Sequence, residues 1–542
     1  LVEPVFSKPP PEGDHEPAPK PKRFWWRFTL GSVVIVAVVA AATAASILLY
    51  VDSIANALSH HNHFGKLHRY LSQVTGGDPE NILILGSDKR ASLEEDPGRS
   101  DTTILLRLDP DRNAIAVMSI PRDLKVYIPG VGTEKFNAAY TYGGPKLTLE
   151  VVKELTGLPI NHVVNVDFLG FVRAVDAIGC VYTDVDRRYY HSNVGVPASE
   201  QYSEINVKPG YQLLCGKKAL QYVRYRHTDT DIVRSARQQD FLSAARQRVP
   251  ISKLVLGQSD LVDIFTKYTT SDISDTETML QVMKLFIASR NAAIKEVHFP
   301  AELGPSYVYA SPEAIQEAVD KFLGIEASSG PRGSLESAPG KSKKGKGSKG
   351  KKGSAKNRKQ QKPHLAPPKP PGSDGLVPAR EAGELEAATV ARKVSSGFPV
   401  FYPTRLPSGA FYVESNSYEH VQDPRVYHFK DTDGERHGAY RMVVELPLSD
   451  GIHYFGVQGV QGWEDPPILD SPSLTKTING REYEIFVDGD RIPIVAWHRG
   501  DNSYWVANDL LNTLTNDQMM GIARSADVKL PNPKRKRGKT SR

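Results

Sequence analysis

Apolar and polar positions alternate along this chain in blocks that change period, and the changes mark its elements. Asn81–Gly86 is an unbroken apolar run flanked by polar residues, the pattern of a strand buried on both faces. Thr102–Leu108 and Ala114–Ile120 follow as two further strands rich in β-formers. In Pro145–Leu155 the period lengthens to that of a helix, with Val151, Val152 and Leu155 on one face. Val163–Val166 predicts another strand. Phe168–Ile178 predicts a helix that Gly179 closes, because glycine adopts the left-handed conformation that ends a helix. A helix is expected over Gln238–Arg248. Strands alternating with helices argue an α/β fold, a layered mixed sheet flanked by helices.

Beyond this unit the pattern disappears and then returns. Residues 326–395 are rich in Lys, Gly, Ser and Pro and read as a linker. Short strands resume at Phe411–Val413, Met442–Leu446, Tyr454–Val457 and Tyr483–Val487. A hairpin is expected from Ile494–His498 and Tyr504–Ala507, and a helix from Asn516–Ser525. These predict a small accessory α+β domain over 396–530, followed by a basic tail, 531–542. Nothing in it combines into a catalytic group of residues. His498 and Trp463 read as structural.

The N-terminal part has a different character. Phe28 to Val51 contains no charged residue. Such a helix would be roughly 36 Å long, enough to cross a bilayer. Lys20, Lys22, Arg23 and Arg27 precede it and Trp25 and Trp26 sit at the expected interface. The excess of positive charge on that side predicts a cytoplasmic disordered tail over 1–27 and everything after the helix outside the cell membrane. A cleaved signal peptide competes with this reading, but the apolar run is longer than a signal core and the leading segment is Pro-rich with acidic residues. Residues 52–77 read as an extracellular stalk. Its His60, His61, His63 and His68 suit a polar stalk better than a metal cluster of fixed geometry.

Charge narrows the function classes. Charged residues make up 24 % of the chain and the formal net charge is +6, with much of the excess in the Lys341–Lys362 run and the tail. The folded parts are nearly balanced, so the basic overall charge is weak evidence for nucleic acid binding, and the expected exported topology argues against nucleic acid as a partner. Two cysteines, Cys180 and Cys215, are too few for a thiolate metal site and neither has an adjacent base in sequence. Outside the membrane they are expected to form a structural disulfide.

Candidate chemistry gathers in the 78–325 unit. Gly86-Ser87-Asp88-Lys89-Arg90 ends one strand, Gly98-Arg99-Ser100-Asp101-Thr102 leads into the next, and Ser119-Ile120-Pro121-Arg122-Asp123 ends a third. Arg224-Tyr225-Arg226, if extended, would put two guanidiniums on one face. Asp231, Arg234 and Gln238 share a helical face. Guanidinium is a planar donor fork that matches phosphate oxygens, and carboxylates such as Asp88 and Asp101 offer the hard oxygens Mg²⁺ prefers. A lone Arg–Asp pair would be an ordinary surface salt bridge; this many arginines at strand ends argue for a phosphate-bearing substrate.

Over roughly Asn81–Arg248 the sequence resembles the LytR-CpsA-Psr family of envelope glycopolymer ligases. The resemblance rests on GSDKR, GRSDTTILL, SIPRDLKVYIPG, EKFNAAYTYGG, LTGLPINHVVNVDFLGFVRAVDAIG and ALQYVRYRHTDTDIVRSARQQ, and it does not extend to 326–542. It implies a single-span membrane protein that moves a glycopolymer from a polyprenyl-pyrophosphate carrier onto peptidoglycan, assisted by Mg²⁺. By resemblance, Asp88 and Asp101 are metal-associated carboxylates. Arg99, Arg122, Lys135, Arg224, Arg226, Arg234 and Gln238 contact pyrophosphate, and Asp231 either orients Arg234 or acts as a base. Cys180 stands where the family often has Gly, and a disulfide to Cys215 would brace the arginine pair and fit actinobacterial-type members. Two other functions share the same residues: a polyprenyl-pyrophosphate phosphatase, and a non-catalytic envelope binding or regulatory protein.

Overall fold

The apolar run 82–85 forms the centre of a six-stranded sheet. The computed structural model describes residues 67–75, 77–87, 100–195, 204–225, 228–248, 269–273, 293–297, 299–324, 374–413, 425–449 and 451–531, with short pieces between 277 and 285. All belong to one compact unit, Ile54–Arg542. The segments 1–27 and 28–51, together with His60, His61 and His63, lie outside the described residues. No described helix is long and apolar enough to cross a membrane.

The strands in chain order are β1 (Glu80–Ser87), β2 (Ser100–Asp109), β3 (Ala114–Ser119), the ribbon β4 (Lys125–Ile128) and β5 (Gly132–Lys135), and β6 (His162–Asp167). Then come β7 (Val181–Val185), β8 (Tyr189–His191), β9 (Ile205–Val207), β10 (Gly210–Leu214), β11 (Thr269–Ser271) and β12 (Ala293–Val297). The main sheet has the order β11-β6-β1-β2-β3-β12. β1 runs parallel to β6 and antiparallel to β2, and β3 runs parallel to β12. Because side chains alternate, Leu83, Leu85, Leu105 and Met118 enter one buried cluster, while Ile82, Ile104, Leu108 and Val117 enter another. Burial on both faces is why these strands read as continuous apolar runs.

Among the described residues, the helices beside the sheet include α1 (Ala138–Thr156), α2 (Phe168–Ala177), α3 (Gly216–Arg224), α4 (Asp231–Arg248) and α5 (Pro312–Gly324). The expected start at Pro145 is visible as a break inside α1. Gly144 takes φ 61° and ψ −154°, a conformation open to glycine, and Pro145 starts the second segment. Its Val151 and Val152 are buried, and Gly157 in the left-handed region ends it. Asp167 caps α2 by accepting from Gly170 N at 2.6 Å, and Gly179 follows its end at φ 84°.

Several expectations need correction. Arg224 is not extended: it is the last residue of α3, and Tyr225 is the first to leave the helix. The helix expected over Gln238–Arg248 begins earlier, at Asp231. The stretch read as stalk already belongs to the fold at its end. Residues 67–70 form a 3₁₀ turn, Leu67 and Leu71 join the main core, and Ser72 N donates to Ile160 O at 2.8 Å. The stretch read as linker ends earlier than 395, since α6 (Arg380–Ala391) buries Ala387 and Val390 in the second core.

That second core lies under an antiparallel sheet whose long strands are Arg436–Leu448, Gly451–Val460, Arg481–Asp488, Arg491–Arg499 and Asn502–Ala507. The Arg491–Arg499 and Asn502–Ala507 hairpin is the one the alternation predicted. α7 (Asn516–Arg524) starts with a reciprocal cap between Thr515 and Gln518. The sheet packs on β7 and β10: Tyr182 and Tyr211 share a buried cluster with Val460, Ala496 and Trp505.

Candidate active site

Strand register brings the separate sequence motifs to one end of the sheet. Ser87 at the end of β1 pairs with Ser100 at the start of β2 and with Asp167 at the end of β6. Ser119 at the end of β3 pairs with Ile104 of β2. The end of β1, the end of β3 and the beginning of β2 therefore lie at one end of the sheet. Asp101 holds the second position of β2 there. Asp88, Arg99 and Arg226 lie outside the described residues. Gly86 pairs with Thr102, and a Cβ at Gly86 would come within 3.1 Å of Thr102 Cβ, so glycine permits the close approach at this end.

Arg122, 8 % exposed, follows β3 through Ile120 and Pro121. Its Nε lies 3.4 Å from Asp123 Oδ2, and Lys135 Nζ at the end of β5 lies 2.9 Å from Asp123 Oδ1. One carboxylate thus holds two cations together. Glu134, Asn137, Ala138, Thr141 and Tyr142 complete the lining of a cleft of about 400 Å³ beside them. Lys135 is half-exposed, and such a pair contributes little to stability by itself, roughly 1 kcal/mol or less. What the arrangement does provide is a fork and a point charge directed at one cavity, which suits an anion.

The helical contributors reach the same end. Gln238 of α4 donates through Nε2 to Thr102 Oγ1 at 3.1 Å and to Val223 O of α3 at 3.0 Å. Gln239 Nε2 reaches Ser119 Oγ at 3.3 Å. Arg234, one turn earlier in α4, is buried. Asp231 is the first residue of α4. The Arg224 guanidinium lies over the Phe168 ring at 3.9 Å, above the start of α2. Cys180 and Cys215 form a disulfide joining the end of α2 to the start of α3. Among the described residues, then, Arg122, Lys135, Arg224, Arg234 and Gln238 all attach to elements that converge at the β2 end.

The sequence reading missed a buried ion cluster under this site. Asp229 pairs with Arg187 at 2.5 Å through Oδ1 and with Arg237 through Oδ2. Arg237 is fully buried and donates to Tyr222 O at 2.8 Å and Tyr225 O at 3.0 Å. Burial opposes its charge, but Asp229 and the surrounding tyrosines outweigh that and hold it protonated. Asp186, next to Arg187, is pushed up to about 6 by burial, against the pull of Arg187 and a hydrogen bond from Tyr189. The available signal was the second aspartate in Asp229-Thr230-Asp231; nothing in the chain's local pattern marks Arg187 or Arg237 as buried.

The LytR_cpsA_psr family profile matches residues 47–326. The chain is similar to the polyisoprenyl-teichoic acid–peptidoglycan teichoic acid transferase TagU of Oceanobacillus iheyensis, at 30 % identity over 284 residues, 50 % of this chain and 84 % of that protein. It is similar to the corresponding transferase TagT of Bacillus subtilis at 32 % over 190 residues, 35 % of this chain and 58 % of TagT. A probable cell wall biosynthesis protein, LcpB of Corynebacterium glutamicum, is 35 % identical over 189 residues, 32 % of this chain and 42 % of LcpB. The matched segments thus span less than two thirds of TagT and LcpB. Among solved structures, B. subtilis TagV superposes with a TM-score of 0.37 at 26 % identity, covering 46 % of this chain and 98 % of TagV. With the profile spanning more than half of the 542 residues, the chain belongs to the LytR-CpsA-Psr family.

Proposed function

We propose that this protein is a membrane-anchored phosphotransferase that moves a glycopolymer from a polyprenyl-pyrophosphate carrier onto peptidoglycan. The observation that carries the reading is the convergence of Arg122, Lys135, Arg224, Arg234 and Gln238 at the β2 end, in a family whose TagU relative is named for this transfer. The chemistry asks for cations placed where charge develops on the transferred phosphoryl group, and a preorganised cluster supplies them without reorganisation. Arg122 and Lys135 bind phosphate oxygens, with Asp123 fixing their spacing. Arg234 and Arg224 contact the pyrophosphate from the helical side, joined by Arg226 and Arg99. Asp231 orients Arg234 or takes the proton of the acceptor hydroxyl.

Asp88 and Asp101 would hold Mg²⁺. Position 101 at the start of β2, beside the end of β1, suits hard oxygen donors facing a pyrophosphate, and the ion would neutralise its charge. A carrier that stays in the bilayer explains an anchor at 28–51 with the catalytic domain extracellular. The disulfide and the likeness to LcpB support an actinobacterial-type member.

Incubating the purified protein with a polyprenyl-pyrophosphate-linked oligosaccharide, Mg²⁺ and peptidoglycan fragments tests the reading. Oligosaccharide joined to glycan through a phosphodiester supports it. Lipid phosphate and free oligosaccharide phosphate without a joined product would identify a phosphatase instead. Retained carrier binding with no turnover would identify a binding protein.

A further inference from the structure

Between α3, which ends at Arg224, and α4, which begins at Asp231 and carries Arg234, the described residues are Tyr225 and Thr228–Thr230, and what holds them sets the spacing of the helical arginines. Two buried guanidiniums hold them. Arg237 ties Asp229 to the carbonyls of Tyr222 and Tyr225. Arg187 ties Asp229, at 2.5 Å, and Thr228 Oγ1, at 2.6 Å, to the turn after β7. Arg187 is itself stacked among rings. Tyr189 and Tyr225 lie 4.8 and 5.5 Å from its guanidinium carbon. A third ring, 4.9 Å away, belongs to Tyr454 of the C-terminal sheet.

The same sheet grips β7 three residues earlier. Arg441, fully buried, places Nη1 at 3.0 Å from both carboxylate oxygens of Asp184, and Trp505 Nε1 donates to Asp184 Oδ2 at 2.9 Å. The C-terminal sheet therefore anchors the strand and covers the guanidinium that grips the turn. A guanidinium covered by an aromatic face is withheld from water, and its donors stay directed at Thr228 and Asp229.

We propose that Arg187 is a positioning residue for the transfer reaction, and that the C-terminal sheet, through Tyr454, holds Arg187 in place and so sets the geometry of the Arg224–Arg234 turn. The accessory domain thereby takes part in catalysis without contributing a group that touches substrate. This inference rests on the transferase reading for its kinetic consequence, and on geometry alone for the coupling.

The test uses the full chain with Tyr454→Leu, Tyr454→Phe and Arg187→Lys. Amide hydrogen exchange is followed over 225–231, and turnover is measured with the lipid-linked oligosaccharide and peptidoglycan fragments. Tyr454→Leu is expected to speed exchange in that segment about tenfold and lower kcat about tenfold, with KM for the carrier within twofold. Tyr454→Phe, which keeps the ring face, is expected to behave as wild type. Arg187→Lys cannot reach Thr228 and Asp229 together and is expected to repeat the Leu signature, which covers the case of a Leu variant that folds poorly. Wild-type exchange and kcat in both Tyr454→Leu and Arg187→Lys would overturn the proposal. If wild type transfers nothing, the functional reading fails by itself, and the exchange rates still decide the coupling.

Discussion

Gln238 on α4 donates to the Thr102 hydroxyl at the start of β2, at 3.1 Å, and this bond links the helical and strand-borne halves of the candidate site. Arg122 and Lys135 approach from the β3 and β5 ends, and Arg234 lies one turn before Gln238. Replacing Arg122 or Arg226 by Ala is expected to lower the transfer rate by on the order of 10²–10³, the cost of one transition-state donor. Gln238→Ala, which removes an anchor and one donor, is expected to cost about tenfold or more. Steady-state kinetics on the three variants checks this, and full activity in the two arginine variants would exclude the assigned site.

A buried histidine makes stability depend on pH. His162 at the start of β6 lies 2.8 Å from Asp272 and 3.3 Å from Glu80. Burial works against its charge, but the bonds to Asp272 and Glu80 outweigh it and raise its pKa to about 9. The folded state therefore holds the proton more tightly than the unfolded chain, whose histidine titrates near 6.5. The stabilisation is complete below about pH 6.5 and is lost as pH rises through about 9, on the order of 3 kcal/mol in total. Urea midpoints from pH 6 to 9.5 should fall for wild type and stay nearly level over the same range for His162→Gln. A wild-type midpoint independent of pH would show that His162 is not charged.

The Asp184–Arg441 pair offers a separate test of how the two sheets hold together. Arg441 is fully buried, so removing its carboxylate leaves a charge without compensation. Asp184→Ala is expected to destabilise by about 3–5 kcal/mol, whereas the double change Asp184→Leu with Arg441→Met should recover most of that loss. Chemical denaturation of the single and double variants decides it.

The disulfide between Cys180 and Cys215 closes a sequence separation of 35. On a chain-entropy account it stabilises by about 3–4 kcal/mol. Replacing both cysteines by Ala should lower the melting temperature of the oxidised protein toward that of the reduced wild type. Equal melting of all three would mean that the bond contributes nothing to the fold.

What could be read in advance follows from where the information sits. β1, β2 and β3 were legible because burial on both faces leaves contiguous apolar runs, and the end of α2 because Gly179 marks it. The convergence of Arg122, Arg234 and Gln238 was legible as strand-end and helix-face placement. Arg224 was misread because a two-residue alternation of arginine cannot distinguish a strand from the last turn of a helix. α6 was hidden by its neighbours: its Glu- and Ala-rich sequence follows a Pro- and Lys-rich stretch, and its apolar face is formed by small residues such as Ala387 and Ala391. Asp229, Arg187 and Arg237 were invisible because their roles depend on contacts across elements, and a buried arginine in sequence looks like a surface one.

The central claim is transfer of a phosphate-linked polymer by the arginine site. The most direct measurement is the product of the purified full chain acting on a polyprenyl-pyrophosphate oligosaccharide and peptidoglycan fragments, analysed by mass spectrometry beside Arg122→Ala. The account predicts a phosphodiester-linked glycan conjugate from wild type and at least a hundredfold less from the variant. No conjugate from wild type, or equal amounts from both proteins, would contradict it.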